Sequence, residues 1–140
     1  MRGRAQVVLV AWLVGTALSC GGPAPATAPG DAATDPCRTA TTQAELTRCW
    51  SDESRLAEEE TRAAQARVVD WLRNRGSEAS VRAIEDGQTT WAAYRDAHCA
   101  AVATVYDGGS LGPMQEARCR ADLARLRQGE LDTLMSDASR

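Results

Sequence analysis

From Thr42 onward, apolar residues recur along the chain at helical spacing. Thr42-Gln-Ala-Glu45 has the arrangement of a capping box, in which a threonine hydroxyl and a glutamate carboxylate accept from backbone amides that no helical carbonyl reaches. Behind it, Leu46, Cys49, Trp50, Ala57, Ala64, Val68, Trp71 and Leu72 lie mostly three, four or seven apart, which predicts one long helix. Arg73 and Arg75 suit its negative end, and Gly76 the left-handed cap that closes it. The short Gly76-Ser77 connection predicts a second helix running back antiparallel, with an inward stripe of Val81, Ile84, Gln88, Trp91, Arg95, Cys99, Val102 and Tyr106. Gly87 inside that stripe disfavours helix by ~1 kcal/mol relative to alanine, which admits a kink or a late start near Asp86 to Gln88. Asp107-Gly-Gly-Ser110 breaks the pattern. Gly112-Pro113 restarts it with proline at the first helical position, and Met114, Ala117, Leu123, Leu126, Leu131 and Leu134 carry a third helix. No alternating run predicts a strand. The expected fold is all-α, a three-helix antiparallel bundle.

The N-terminal pattern is different. Met1-Arg-Gly-Arg4 is basic, Val7 to Leu18 is almost wholly apolar and small residues follow, the layout of a secretory signal. The apolar run is shorter than the ~20 residues a membrane span needs. Ala17-Leu18-Ser19-Cys20 resembles the lipobox at which bacterial lipoprotein signals are cut and the cysteine acylated. An ordinary secretory cut near Ala24 to Ala28, discarding Cys20, is the other reading. Residues 21–36 are rich in Gly, Pro, Ala, Thr and Asp without hydrophobic period and read as a flexible tether. The expected organisation is a signal peptide over 1–19, lipidated Cys20 and linker over 20–36, and a helical domain over 37–140. Such a protein is anchored in the cell envelope through its lipid, facing the periplasm or cell exterior, on the outer membrane where the cell has one.

Charge narrows the partners. The chain carries 16 basic and 19 acidic residues for a net charge of −3. From Cys37 onward there are 14 arginines, no lysine and 17 acidic residues without a basic stripe, which argues against nucleic acid and suits a cationic protein. Setting Cys20 aside leaves four cysteines in an exported, disulfide-permissive chain. Of the three possible pairings, local geometry favours Cys37 with Cys49 and Cys99 with Cys119. Gly109 stands ten residues from each of Cys99 and Cys119, so in a helical hairpin those two thiols reach the same height. Each bridge is worth ~3 kcal/mol by loop entropy, which matters in a small domain with a thin core.

Gln88-x-x-Trp91-x-x-Tyr94-Arg95-x-x-x-Cys99, then Tyr106-x-Gly108-Gly109-Ser110, then Cys119 with Leu123, Arg127 and Leu131 behind it, resembles the lysozyme inhibitor LprI-like N-terminal domain family. Cys37, Thr42-Gln43 and Cys49 fit the same pattern, so the resemblance spans roughly Cys37 to Leu131. One segment departs: many members carry an Ala-Asp, Leu-Asn and Tyr signature in the first helix, where this chain has Ala57-Glu58, Thr61-Arg62 and Gln65. The resemblance implies a small, disulfide-stapled envelope domain that binds and inhibits a lysozyme-type muramidase by occluding its cleft. The alternative is a non-catalytic adaptor or scaffold lipoprotein binding another protein or a cell-wall fragment.

Several residues admit both a structural and a functional reading. Trp91 and Arg95 sit one turn apart, either packing the core with Arg95 paired to Glu53, Glu58 or Glu60, or lining with Gln88 and Tyr94 a groove for a ligand carboxylate or sugar. His98 beside Cys99 is no catalytic pair, because helix neighbours point about 100° apart. With a single histidine in the chain, no zinc or catalytic cluster is expected. No enzyme activity, cofactor or metal is therefore expected. Asp52, Glu53, Glu58, Glu59 and Glu60 form either a solvated face or a docking surface for a cationic partner. The turn with Tyr106, Asp107, Gly108, Gly109 and Ser110 is the leading candidate for insertion into a partner's cleft, against the reading that its glycines merely reverse the chain.

Overall fold

The computed structural model describes residues 35–106 and 108–140. The signal, Cys20, most of the tether, and Asp107 lie outside the described residues. Among those described there are three helices and no strand: α1 (Gln43–Asn74), α2 (Glu78–Thr104) and α3 (Leu111–Ala138). None of these helices is long and apolar enough to cross a membrane.

Helix α1 begins where the capping box predicts. The Glu45 amide donates to the Thr42 hydroxyl at 3.2 Å, and the Glu45 carboxylate accepts from the Thr42 amide at 3.0 Å and the Thr41 amide at 2.9 Å. At the other end Gly76 takes φ 68°, so its amide reaches the Arg73 carbonyl and that of Ser77 the Leu72 carbonyl. Helix α2 runs unbroken through Gly87, without the kink or late start that residue admits. Helix α3 starts at Leu111, two residues before the expected Pro113. Ser110 already has helical torsions, and proline at the third position still lacks only an amide that no intrahelical carbonyl would have met.

Both disulfides form as expected, with Cα separations of 5.8 Å for Cys37–Cys49 and 5.6 Å for Cys99–Cys119. The first folds the segment before α1 onto its second turn; the second clamps α2 to α3.

The reversals after α1 and α2 leave α1 and α3 parallel, and these two share the largest interface in the molecule. It is built from small residues. Ala57, Thr61 and Ala64 of α1 face Ala117, Ala121 and Ala124 of α3, all buried, and small side chains let helix axes approach closely. The Thr61 hydroxyl lies 2.8 Å from the carbonyls of both Ala57 and Ala124, so its one proton is shared between its own helix and α3. This close contact corrects the expected α3 stripe. Leu131 is buried, but Leu126 is 65% exposed and Leu134 44% exposed, because alanines rather than leucines occupy the seam.

The apolar core divides in two. One cluster joins Cys37, Trp50, Met114, Ala117 and Ala121 near the Cys37–Cys49 bridge; the other joins Ala64, Val68 and Leu131 toward the opposite end. Between them lies a polar layer at Ser54, Glu58, Thr61 and Arg95.

Candidate functional site

Two regions carry the residues singled out from sequence. The first is a groove of about 460 Å³ between α1 and α2. Both helices pack mainly on α3 and least on each other, so their facing sides diverge at the polar layer. From α1 come Glu58, Thr61, Arg62 and Gln65; from α2 come Glu85, Gln88, Thr89, Trp91, Ala92 and Arg95. The steps from 58 to 62 to 65, and from 88 to 91 to 95, are those that keep residues on one helix face.

Arg95 forms the floor. Its side chain is 10% exposed and pairs with Glu58 at 3.4 Å and with Asp96 at 2.8 Å. Asp96 also accepts from Arg120 at 2.8 Å, and Arg120 donates in turn to Glu116 at 3.2 Å, so one ionic chain ties all three helices. The guanidinium lies 5.1 Å from the Trp91 ring centroid. Trp91 is half-buried and borders the groove rather than filling the core. Gln88 is held from the far side, its amide oxygen accepting from Arg127 at 3.0 Å. Tyr94 does not join them: it is 56% exposed on another face of α2 and stacks on His98 at 5.5 Å.

Glu58 is one of the three carboxylates that the sequence offers to Arg95, and Asp96 is not among them, because adjacent helical residues point apart and only the flexible stem of the arginine brings the two groups together. Arg62, Gln65 and Glu85 also join the groove without having been expected in it. The spacing from Glu58 was the available signal for the first two. Positions 61, 62 and 65, where the chain departs from the resemblance's first-helix signature, border this groove together with Glu58, where the signature's acidic character is kept.

The second region is the turn from α2 into α3. Tyr106 is half-buried at its base, while Gly108, Gly109 and Ser110 are exposed. Gly108 takes φ 70°, a conformation that favours glycine. The Gly109 amide donates to the Tyr106 carbonyl at 2.9 Å and the Gly112 amide to the Gly109 carbonyl at 3.1 Å. Gly112 is buried against α2, and a Cβ there would stand 3.1 Å from the Ala103 carbonyl oxygen. The turn is thus closed tightly at its base, with the Cys99–Cys119 bridge behind it.

The lysozyme inhibitor LprI family matches residues 34–131, a span that takes in both disulfides, the groove and the turn. The chain belongs to the LprI family. That family is one of inhibitors rather than enzymes, and its members are envelope-associated. An uncharacterized protein, R02472 of Rhizobium meliloti (strain 1021), is 31% identical over 111 residues, covering 73% of this chain and 80% of its own length. No solved structure matches the chain.

The acidic run on α1 is largely neutralised. Asp52 and Glu59 pair with Arg55, Glu53 with Arg125 and Glu58 with Arg95, leaving Glu60 alone of the five without an ion pair among the described residues. As a docking surface it is weaker than its composition suggests. Among the described residues no cluster of three His, Cys, Asp or Glu could hold a metal ion.

Proposed function

We propose that this protein is a cell-envelope lipoprotein that binds and inhibits a lysozyme-type muramidase by occluding its cleft, with the α2–α3 turn as the inserted part. Membership of the LprI inhibitor family over residues 34–131 carries the reading. The turn supports it locally. Gly108, Gly109 and Ser110 are exposed at the tip, and the Cys99–Cys119 bridge holds the helices on either side. A loop already held in one shape loses less entropy on binding. Val105, 75% exposed beside the turn, adds apolar contact surface, and Tyr106, Asp107 and Ser110 add hydrogen-bonding groups. The net charge of −3 favours encounter with a cationic partner. In this reading Cys20 carries the lipid, residues 21–36 tether the domain to the membrane, and the protein performs no catalysis and needs no cofactor.

A cell-lysis assay with several lysozyme classes tests it. The oxidised chain is expected to slow lysis, and the reduced chain to lose that effect. The combined variant Tyr106→Ala, Asp107→Ala, Ser110→Ala should keep its helical circular dichroism and lose inhibition. Absence of inhibition against every class would leave the adaptor reading in its place; full inhibition by the triple variant would remove the turn as the contact. Mass analysis of the membrane fraction reads the acylation of Cys20 directly.

A further inference from the structure

We infer that the α1–α2 groove is a binding site for a neutral saccharide of one or two pyranose rings, separate from the turn and independent of the muramidase reading. Its volume of about 460 Å³ lies within the ordinary range for small-molecule sites. The charges around the groove favour a neutral, hydroxyl-rich ligand. Two guanidiniums, Arg62 and Arg95, stand against two carboxylates, Glu58 and Glu85, so the lining is formally balanced.

Three of the four are already engaged: Arg95 with Glu58 at 3.4 Å, and Glu85 with Arg73 at 3.1 Å. An anionic ligand seeking the floor would have to displace Glu58 or Asp96 from Arg95, whose side chain is only 10% exposed. A cationic ligand would have to take Glu58 from the same guanidinium. Either exchange leaves a part-buried charge without its partner, which is costly. A hydroxyl both donates and accepts, so it can add to such a pair without breaking it.

The other lining groups suit the same ligand. Gln88 has its amide oxygen occupied by Arg127, which turns its NH2 into a fixed donor. Gln65 offers a donor and an acceptor from the opposite wall, and Arg62, exposed at the rim, adds further donors. The half-buried indole of Trp91 supplies apolar surface for the C–H face of a sugar ring. One aromatic wall, paired amides and balanced charges form the lining a pyranose requires.

The test follows the indole N–H resonance of Trp91, identified by its loss in Trp91→Phe, while the oxidised full-length chain is titrated with cellotriose, triacetylchitotriose or trigalacturonate. A neutral trisaccharide is expected to shift that resonance and the Gln65 and Gln88 side-chain amides saturably. Combining Arg62→Ala with Gln65→Ala should weaken binding about fivefold or more, the scale of losing one hydrogen bond, with circular dichroism unchanged. Three results would overturn the inference: no saturable shift up to about 10 mM neutral sugar, a weak limit for a specific site; undiminished binding by the double variant; or tighter binding of trigalacturonate than of cellotriose. The resonances report the groove itself, so failure of muramidase inhibition leaves this outcome unaffected.

Discussion

Without the Arg95 side chain, Glu58 and Asp96 lose the guanidinium they share. Removing one partner from a buried ionic group costs more than the pair contributes, because the remaining charge keeps its desolvation penalty. Asp96 is half exposed and recovers solvent, which lowers the figure. Arg95→Ala should therefore reduce unfolding free energy by about 2 to 3 kcal/mol, measured by urea denaturation near neutral pH. Arg95→Lys should restore only part, since an ammonium cannot reproduce the fork that reaches both carboxylates. Glu45 gives a different signature. Backbone amide donors, that of Thr41 first and that of Thr42 next, lower its pKa from 4.5 to about 2. Because the folded value is depressed, its contribution is present above 4.5 and fades as pH falls toward about 2. Glu45→Gln should be less stable than the parent near neutral pH, with the difference vanishing at the acid end of that window. At this scale the capping box was legible because it is purely local. The Arg95 network was legible only in part: its need for a carboxylate follows from burial, but the choice of Glu58 and Asp96 depends on how three helices meet.

Two glycines with opposite surroundings separate helix propensity from packing. A Cβ at Gly87 meets nothing within 4 Å, and the residue lies inside unbroken α2. Gly87→Ala should therefore raise stability by up to about 1 kcal/mol. At Gly112 the same methyl group meets the Ala103 carbonyl oxygen at 3.1 Å, where the Cys99–Cys119 bridge prevents the helices from moving apart. Gly112→Ala should lower stability by about 1 kcal/mol despite its better propensity, and thermal melts of the two variants should shift in opposite directions. The limits of α1 were readable because caps are local; α2 ends at Thr104, two residues short of the expected Tyr106, and α3 starts two residues early. The inward face of α3 was not. Leucine hydrophobicity predicts burial at Leu126 and Leu134, but alanines fill the middle of the seam against α1, with Met114 and Leu131 buried at its two ends, and those two leucines are left exposed.

For the molecule as a whole, the bridges compensate for a core split into two clusters by a polar layer. Replacing Cys99 and Cys119 together by alanine should lower stability by roughly 3 kcal/mol, and chemical denaturation would read that loss; a change below about 1 kcal/mol would mean that the α1–α3 seam holds the fold by itself. The sequence contained enough to assign three helices, the two caps of α1, both cysteine pairs and the family, because each depends on periodicity, on residues within one or two turns, or on a motif. It did not contain the position of the groove or the parallel alanine seam of α1 and α3. Those arise from packing across more than sixty residues of chain, as in the Thr61 hydroxyl at the Ala124 carbonyl, 63 positions away. Pairing at that distance depends on which side chains let two helices approach closest, and helical periodicity describes one helix at a time.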